Sequence, residues 1–242
     1  MTLRMLKLEP DVQRLVRWAG ARGLMARHGE DDLGYALHAL LAAAFGEFAP
    51  KPFALQHESG RPASLLAYTT NDPSALRDHA AAFAEPDVTA TLGVEGMAAK
   101  DMPDRFLAGR RIGFAIRARP TVRTDRHGDR NRTREVDAFL AAVAGTPPDG
   151  GPERGAVYRE WLIVRFAAGG VVPERLVLDS FRLSGTQRRS DDRSLRHLKR
   201  GPDARFSGVL RVVDPDSFAV LLARGVGRHR AFGYGMMLLK QA

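Results

Sequence analysis

The stretch RFSGVLRVVDPDSFAVLLARGVGRHRAFGYGMMLL, which spans Arg205 to Leu239, carries the pattern that decides the fold. Alternating apolar residues predict a strand over Phe206–Val213, and the turn Asp214-Pro215-Asp216 predicts the cap of a helix that runs to Ala223. A glycine-rich loop follows the helix, and the apolar run Tyr234–Leu239 predicts a closing strand. The loop therefore lies between a helix and the last strand.

This loop combines glycines with basic side chains. Its members are Gly225, Gly227, Gly233 and Gly235, together with Arg228, His229 and Arg230. Glycine lets a backbone approach a ligand closely, and adjacent cations complement an anion. A nucleotide-binding glycine motif needs a strand before it and a helix after it. Because the order here is reversed and neither GxGxxG nor GK[ST] occurs, the sequence argues against mononucleotide binding.

The whole chain is predicted to repeat the order β-α-β-β-α-β twice. In the first half, strands are predicted at Leu3–Leu8, Phe53–His57, Ser64–Thr69 and Thr89–Glu95, and helices at Val12–Ala21, Asp31–Phe45 and Asn71–Phe83. In the second half, strands are predicted at Arg111–Arg123, Arg175–Leu183, Phe206–Val213 and Tyr234–Leu239, and helices at Arg134–Val143, Val157–Ala167 and Asp214–Ala223. This order predicts an α+β fold of two tandem ferredoxin-like (RRM-like) βαββαβ domains, residues 1–105 and 106–242.

Composition narrows the choice of partner. The chain has 37 Lys and Arg against 28 Asp and Glu, a formal net charge of +9. This balance favours a polyanion, either nucleic acid or an anionic membrane. The absence of cysteine excludes disulfides, thiolate catalysis and cysteine-ligated zinc. With no signal-peptide pattern and no apolar run long enough to span a membrane, a soluble cytoplasmic protein is expected.

Three polar segments interrupt the predicted elements. Thr124–Arg134 and Thr146–Gly155 are rich in charge, glycine and proline and are predicted to be irregular loops inserted into the second domain. Gly185–Arg205 links two strands and holds seven Lys and Arg residues. Such a run is either a solvated surface or the tip of a hairpin that contacts phosphates, and the pattern leaves both open.

Three segments together resemble the CasE family, the CRISPR repeat-processing endoribonucleases of the Cascade complex. They are the terminal stretch Arg205–Leu239, the arginine-bearing segment IGFAIRARPTVR at Ile112–Arg123, and Tyr35-Ala36-Leu37-His38 on the first long helix. The resemblance spans nearly the whole chain, and the terminal loop is its most specific part. The loops at 124–134 and 146–155 are longer than the family pattern predicts, which leaves their role open.

The resemblance implies metal-independent cleavage of precursor CRISPR RNA within each repeat. A ribose 2′-OH would attack the adjacent phosphorus, giving a 2′,3′-cyclic phosphate and a 5′-OH. A tethered nucleophile supplies proximity, so no metal and no cofactor is expected. The implied partners are the CRISPR repeat RNA, whose crRNA hairpin would stay bound, and other Cascade-type effector subunits, with no membrane.

The resemblance also assigns the candidate site. His38 would be the general acid or base, because the pKa of histidine lies near physiological pH. Tyr35 would share its helix face at a spacing of three residues and position the nucleophile or bind the phosphate. His229 is a rival acid or base. The candidate RNA-binding residues are Arg117, Arg119, Arg182, Arg188, Arg189, Gly225, Gly227, Arg228, His229, Arg230, Gly233 and Gly235.

Two alternatives stay open at the level of sequence. From spacing alone, His38 would be a partly buried histidine on an amphipathic helix. Within the family resemblance, the alternative is a non-catalytic subunit that holds crRNA in a CRISPR effector complex without cutting it. A DNA-binding protein with a basic hairpin is the other alternative, although neither a helix-turn-helix nor a zinc signature supports it.

Overall fold

The computed structural model describes the backbone at residues 2–25, 33–57, 60–125, 133–145, 151–189 and 195–242. Within these ranges the side chains of residues 125, 133, 186–189 and 195–199 are outside the description. No helix in the described part of the chain is both long and apolar enough to cross a membrane.

The first half forms one antiparallel sheet with helices between its strands. Its elements are β1 (Arg4–Leu8), α1 (Val12–Ala21), α2 (Gly34–Phe45), β2 (Phe53–Gln56), β3 (Ser64–Thr69), α3 (Pro73–Phe83), α4 (Pro86–Leu92) and β4 (Ala98–Asp101). The strand order is β2-β3-β1-β4, with β1 paired antiparallel to both β3 and β4. A first strand that lies between the third and fourth is the arrangement of a ferredoxin-like βαββαβ unit.

The second half repeats this arrangement and adds an insertion. Its elements are β5 (Arg111–Ala118), β6 (Thr121–Asp125), β7 (Thr133–Asp137), α5 (Ala138–Ala142), α6 (Arg154–Ala168), β8 (Val171–Arg189), β9 (Leu195–Val212), α7 (Pro215–Arg224) and β10 (Met237–Lys240). The sheet order is β10-β5-β9-β8, while β6 and β7 form a separate two-stranded hairpin. The prediction of two tandem ferredoxin-like units is therefore confirmed.

The strand predicted at Thr89–Glu95 is wrong, because helix α4 covers most of that segment. Pro86 begins the helix, and Gly93 ends it in the left-handed region at φ 72°. Val88, Thr91 and Leu92 are buried at the i, i+3 and i+4 positions of one helix face. The β-propensity of valine and threonine is overridden by this packing, and the fourth strand of the sheet follows at Ala98–Asp101.

Two further predictions, for the strand that contains Pro120 and for the helix that follows it, are wrong. The strand predicted over Arg111–Arg123 is divided into β5 and β6, since proline cannot donate to a sheet ladder and restricts the residue before it. The helix predicted over Arg134–Val143 is only the short α5, whose N-cap is Asp137. Residues before that cap pair instead as β7 with β6.

Parts of the three polar segments belong to strands or a helix, so the loops are shorter than predicted. Thr124 pairs with Arg134 in the β6–β7 hairpin, and residues 126–132 lie outside the described part. The segment predicted to end at Gly155 already begins α6 at Arg154, while residues 146–150 lie outside the described part. Most of Gly185–Arg205 belongs to the paired strands β8 and β9, and residues 190–194 between them lie outside the description.

The core has two clusters of buried apolar side chains. One lies within the first half, around Leu6, Leu40 and Phe45. The other lies mainly in the second half but includes Tyr68 of β3, with Leu66 and other side chains of the first sheet packed against it. The two halves are thus joined by apolar packing, and this contact places α2 beside the terminal loop.

Candidate active site

A cleft of about 1420 Å³ lies between α2, the β6–β7 hairpin and the glycine-rich loop. Most of its charged lining is cationic, contributed by Lys51, Arg119, Arg123, Arg134, Arg200, Arg224, Arg228 and Arg230. Glu135 and Asp137 are the carboxylates that line it among the described residues. A cleft with this balance of charge is electrostatically suited to a polyanion.

Tyr35 and His38 enter this cleft from α2. The helix buries Leu37, Leu40 and Leu41 in the core, so Tyr35 and His38 lie at its boundary, where each is half-buried. Their ring centroids are 6.3 Å apart. The structure therefore brings both residues of the Tyr-x-x-His motif to one wall of the cleft, as the helical spacing predicts.

The surroundings of His38 favour a neutral imidazole at neutral pH. Burial lowers the pKa of His38 below its usual 6.5, and the nearby Lys51 ammonium lowers it further. No hydrogen bond to the imidazole is formed by any residue in the described ranges. A neutral imidazole of this kind can accept a proton, which is the first requirement for a general base.

The glycine-rich loop folds back on itself before it enters β10. Val226 N–H donates to the Gly235 carbonyl at 2.8 Å, and Gly235 N–H donates to the Arg117 carbonyl at 2.7 Å. Gly235 has φ 78°, and a Cβ atom at this position would overlap the Val226 carbonyl oxygen. Gly227 has φ 75° and lies so close to Trp161 that a Cβ atom would be 2.8 Å from the indole. These glycines are required by packing within the protein, whereas their contact with RNA stays a prediction.

Phe232 connects this loop to the catalytic candidates. It ends a short 3₁₀ turn, Arg230–Phe232, that follows His229. Its ring meets the His38 imidazole edge to face at 5.2 Å between centroids, and its centroid is 6.0 Å from that of Tyr35. The motif on α2 and the terminal loop, which lie near opposite ends of the sequence, are thereby brought into contact.

His229 and Arg228 of the loop are both bound by one carboxylate. Glu135 on β7 contacts His229 Nε2 at 2.7 Å through Oε1 and Arg228 Nε at 2.9 Å through Oε2. Burial alone would raise the pKa of Glu135, but its interactions with His229, Thr121 and Arg228 lower that pKa to about 2. The carboxylate therefore stays ionised, and His229 is engaged with the protein rather than pointing freely into the cleft.

The predicted strand arginines make contacts within the second sheet. Arg117 forms a bidentate ion pair with Asp203 at 2.8 and 2.9 Å, and Arg182 binds the same carboxylate at 2.9 Å. Although burial opposes it, this pairing lowers the pKa of Asp203. Arg119 is only 3% exposed and donates to the Ser184 carbonyl at 3.1 Å, with its side chain at the edge of the cleft. These contacts give Arg117 and Arg119 a structural role, and their role in RNA binding stays a prediction.

The remaining predicted arginines are Arg230 and Arg182, whose side chains the structure describes, and Arg188 and Arg189, whose side chains it does not. Arg230 is in the cleft wall and donates to the Arg224 carbonyl at 2.7 Å. Arg182 is exposed over 55% of its side chain, so part of it faces solvent beside its ion pair. Arg188 and Arg189 lie at the end of β8, where the side chains are outside the described part of the structure.

Sequence reasoning missed three residues of the site. Phe232 stands inside the loop that was singled out, and an aromatic side chain among glycines and cations was the available signal. Lys51 carries no motif that marks it. Glu135 was assigned to a predicted helix, and no local pattern connects it with a histidine 94 residues later in the chain.

Comparisons with known proteins agree with this fold. A family model described as CRISPR associated protein matches residues 5–241. The chain is similar to Thermus thermophilus Cse3 bound to an RNA representing a pre-cleavage complex, with 19% identity and a TM-score of 0.62 over 99% of this chain and 100% of that one. It is also similar to a chain of a CRISPR RNA-guided surveillance complex, with 21% identity and a TM-score of 0.54 over 99% of this chain and 100% of that one. Its similarity to Cas6e of Escherichia coli K-12 has 14% identity and a TM-score of 0.51 over 100% of both chains. A search of curated proteins found no match.

Proposed function

This chain belongs to the CRISPR associated protein family, and on that premise we propose that it is an endoribonuclease that cleaves precursor CRISPR RNA within its repeats. The observation that carries the proposal is the His38 imidazole, kept neutral by its lowered pKa in a cleft lined by cations. The likeness in fold to Cse3 bound to a pre-cleavage RNA supports the choice of substrate. His38 also shares one wall of the cleft with Tyr35, the other residue of the Tyr-x-x-His motif.

The proposed reaction is an intramolecular transesterification. His38 takes the proton of a ribose 2′-OH, and the 2′-oxygen forms a bond to the adjacent phosphorus. The bond from phosphorus to the 5′-oxygen of the next nucleotide breaks, and that oxygen takes up a proton from solvent. The products are a 2′,3′-cyclic phosphate and a 5′-OH. Since the nucleophile is tethered to the phosphate that it attacks, proximity is supplied by the substrate itself, which is why the proposal includes no metal ion.

The other side chains of the cleft would act on charge and position. Tyr35, which lies on the same face of α2 as His38, would hydrogen-bond the phosphate. Lys51 lies close enough to His38 to lower its pKa, and an ammonium at that distance can also stabilise the charge that develops on the phosphorane. The arginines on the opposite wall, among them Arg228 and Arg230, would hold the RNA backbone.

We also propose that the product hairpin stays bound and that the chain is a subunit of a CRISPR effector complex. The likeness to a chain of an RNA-guided surveillance complex supports this assembly. The formal net charge of +9 supports retention of the RNA, because each phosphate that is neutralised adds to affinity at low salt. We propose in addition that the chain divides into two domains, residues 1–105 and 106–242, and that the cleavage site lies between them.

Replacement of the catalytic candidate tests the proposal. His38→Ala should abolish cleavage of a repeat RNA and leave its binding unchanged in a gel-shift assay. His79→Ala is the matched control, because His79 is also held between aromatic rings, those of Phe48 and Phe83 at 5.3 and 4.9 Å, but outside the cleft. Unchanged cleavage by His38→Ala would contradict the assignment.

Two changes to the assay test the chemistry. A repeat RNA with a single 2′-deoxy nucleotide at the cut site should bind and remain uncut, because the nucleophile is missing. EDTA should leave cleavage of the normal RNA unchanged. If the unmodified chain binds repeat RNA tightly without cutting it, the non-catalytic crRNA-binding subunit is the better description.

A further inference from the structure

The β6–β7 hairpin is an insertion whose function the sequence leaves open. It separates β5 from α6 and does not join either four-stranded sheet. Its strand β7 carries Glu135, whose carboxylate contacts Arg228 and His229 of the glycine-rich loop and also interacts with the Thr121 side chain of the hairpin's own strand β6. Through Glu135, the insertion therefore contacts a segment that lies about ninety residues further along the chain.

This carboxylate is unexpected in a cleft suited to RNA. The charged lining is mostly cationic, and an ionised glutamate repels the phosphates that such a lining would attract. Glu135 also forms an ion pair with Arg228 and a hydrogen bond with His229, which reduces the attraction of these two side chains for RNA phosphates. Its presence weakens the electrostatic attraction of the cleft, so an explanation must come from what the carboxylate holds in place.

What Glu135 holds is the turn that carries Phe232. His229 adopts φ 60°, and it is the one non-glycine residue at positive φ in the described ranges. A positive φ is uncommon for residues other than glycine, and histidine is one of the residue types in which it occurs more often. The Glu135 contacts to His229 and Arg228 fix this residue. The His229 carbonyl then accepts a hydrogen bond from Phe232 N–H at 2.8 Å, which closes the 3₁₀ turn.

Phe232 is in turn the neighbour that orients His38. Its ring meets the imidazole edge to face at 5.2 Å, and no hydrogen bond within the described residues fixes the imidazole. A displacement of the turn would therefore move the ring against which His38 rests. Since a misplacement of about 1 Å can cost about a hundredfold in rate, the position of this ring matters for proton transfer.

We propose that Glu135 is a positioning residue that fixes the terminal loop through His229 and Arg228 and so sets the orientation of His38 through Phe232. The catalytic part of this inference rests on the proposed endoribonuclease function. The structural part, the dependence of the His38 environment on Glu135, holds whether or not the chain cleaves RNA.

The direction of the effects separates positioning from electrostatics. Loss of a carboxylate beside bound RNA should strengthen binding if Glu135 acts only through its charge, and cleavage should then be unchanged or faster. If Glu135 acts by positioning, loss of its carboxylate should slow cleavage, while RNA binding should be equal or tighter. Glu135→Asp keeps the charge but shortens the side chain by one methylene, so it should lose the two contacts and behave like Glu135→Ala.

The experiment compares Glu135→Ala, Glu135→Asp and Glu135→Gln with the control Glu174→Gln. Glu174 also binds two cationic side chains, Arg111 at 2.7 Å and Arg211 at 3.3 Å, but on the second sheet away from the cleft. Single-turnover cleavage of a repeat RNA should slow by about 10-fold to 100-fold in the Ala and Asp variants. The Gln variant keeps an acceptor oxygen and should fall between them and the unmodified chain, while the control should be unchanged.

A spectroscopic measurement on the RNA-free protein keeps the two proposals distinct. The Cε1–H resonance of His38 should lose the ring-current shift caused by Phe232 in Glu135→Ala and Glu135→Asp, as it does in Phe232→Leu, and should keep it in Glu174→Gln. If the unmodified chain does not cleave RNA but this resonance moves, the proposed function fails and the positioning stands. An unmoved resonance in folded Glu135 variants, or cleavage within about twofold of the unmodified chain, overturns the inference.

Discussion

At the scale of single residues, the His38 side chain is oriented by ring contacts, and no residue in the described part of the chain forms a hydrogen bond with it. Its neighbours are Phe232 and Tyr35, and its pKa is lowered first by burial and then by Lys51. This environment favours the neutral imidazole and leaves its nitrogens available to a ligand. A histidine held in this way is suited to accept a proton from RNA, and its ionisation is a measurable property.

We expect the rate of RNA cleavage to fall on the acid side of its pH profile. The folded-state pKa of His38 lies below 6.5, so the neutral base persists as pH falls past 6.5 and is lost as pH falls through the lowered pKa. Single-turnover rates measured across the acid range test this order. In the RNA-free protein, Lys51→Met should raise the pKa of His38 in an NMR titration, because it removes one cause of the lowering. A rate that increases on acidification would instead assign His38 as the acid.

Gly235→Ala should destabilise the fold more than an ordinary substitution at positive φ. Gly109→Ala, at φ 81° with open space around it, measures backbone strain alone, which costs about 1–2 kcal/mol. Gly235→Ala adds overlap with the Val226 carbonyl oxygen, and overpacking costs a further 1–3 kcal/mol, roughly. Urea unfolding of both variants gives the difference, and equal values would show that the loop has room for a side chain.

At the scale of elements, the inserted hairpin is fixed to the second domain by a buried polar cluster. Asp137 at the end of β7 accepts hydrogen bonds from Phe139 N–H at 2.8 Å, from Arg154 at 2.8 Å and from Tyr158 Oη at 2.9 and 3.0 Å. The Trp161 indole donates to the Thr121 carbonyl of β6 at 2.9 Å. Helix α6 therefore holds both strands of the hairpin, which gives Glu135 a rigid base.

Removal of the charge at Asp137 should loosen this attachment. The Asp137 side chain is 6% exposed and that of Arg154 27%, and loss of one partner of a buried ion pair costs about 3 kcal/mol or more. We expect Asp137→Asn to lower the free energy of unfolding by about that amount in urea. Glu174→Gln, which breaks exposed pairs, should cost under about 1 kcal/mol. A similar small cost for both variants would show that the cluster is not what holds the hairpin.

At the scale of the whole molecule, the cleft exists because the two halves pack against each other. Its walls come from α2 in the first half and from the hairpin and terminal loop in the second. The contact includes apolar side chains of β1 and β3 packed on the second core. It also includes a buried hydrogen bond from Tyr68 Oη to the Met237 carbonyl at 2.9 Å. The catalytic candidates are thus contributed by one half and positioned by the other.

Tyr68→Phe tests how strongly this contact stabilises the molecule. The substitution leaves the Met237 carbonyl without its donor in a buried place, and an unsatisfied buried acceptor costs about 1–3 kcal/mol. We expect a lower melting temperature in calorimetry, still with a single transition because the apolar packing between the halves remains. Tyr35→Phe is the stability control, because the Tyr35 hydroxyl forms no hydrogen bond with any described residue. Two separate transitions in Tyr68→Phe would show that the hydrogen bond, rather than the apolar packing, couples the halves.

The sequence by itself determined the two βαββαβ units and the identity of the catalytic candidates. Helices α1 and α3 begin and end within a few residues of the predicted bounds because caps such as Asp11 and Asp72 and the apolar period are local signals. The terminal loop is marked by its own glycines and cations, and the motif Tyr35 to His38 gains its meaning through the family resemblance. Local pattern failed at Thr89–Glu95 and Arg134–Val143, where packing and strand pairing outweighed propensity.

Only the tertiary structure decided how these candidates are arranged. The contacts of Phe232 with His38, of Glu135 with His229 and of Arg117 with Asp203 join residues separated by tens to hundreds of positions. A local pattern specifies which element a residue occupies but not which distant residue it will meet, because that depends on how the two sheets pack. The same packing buries His38 and lowers its pKa, so the chemistry proposed for this histidine is a property of the folded molecule.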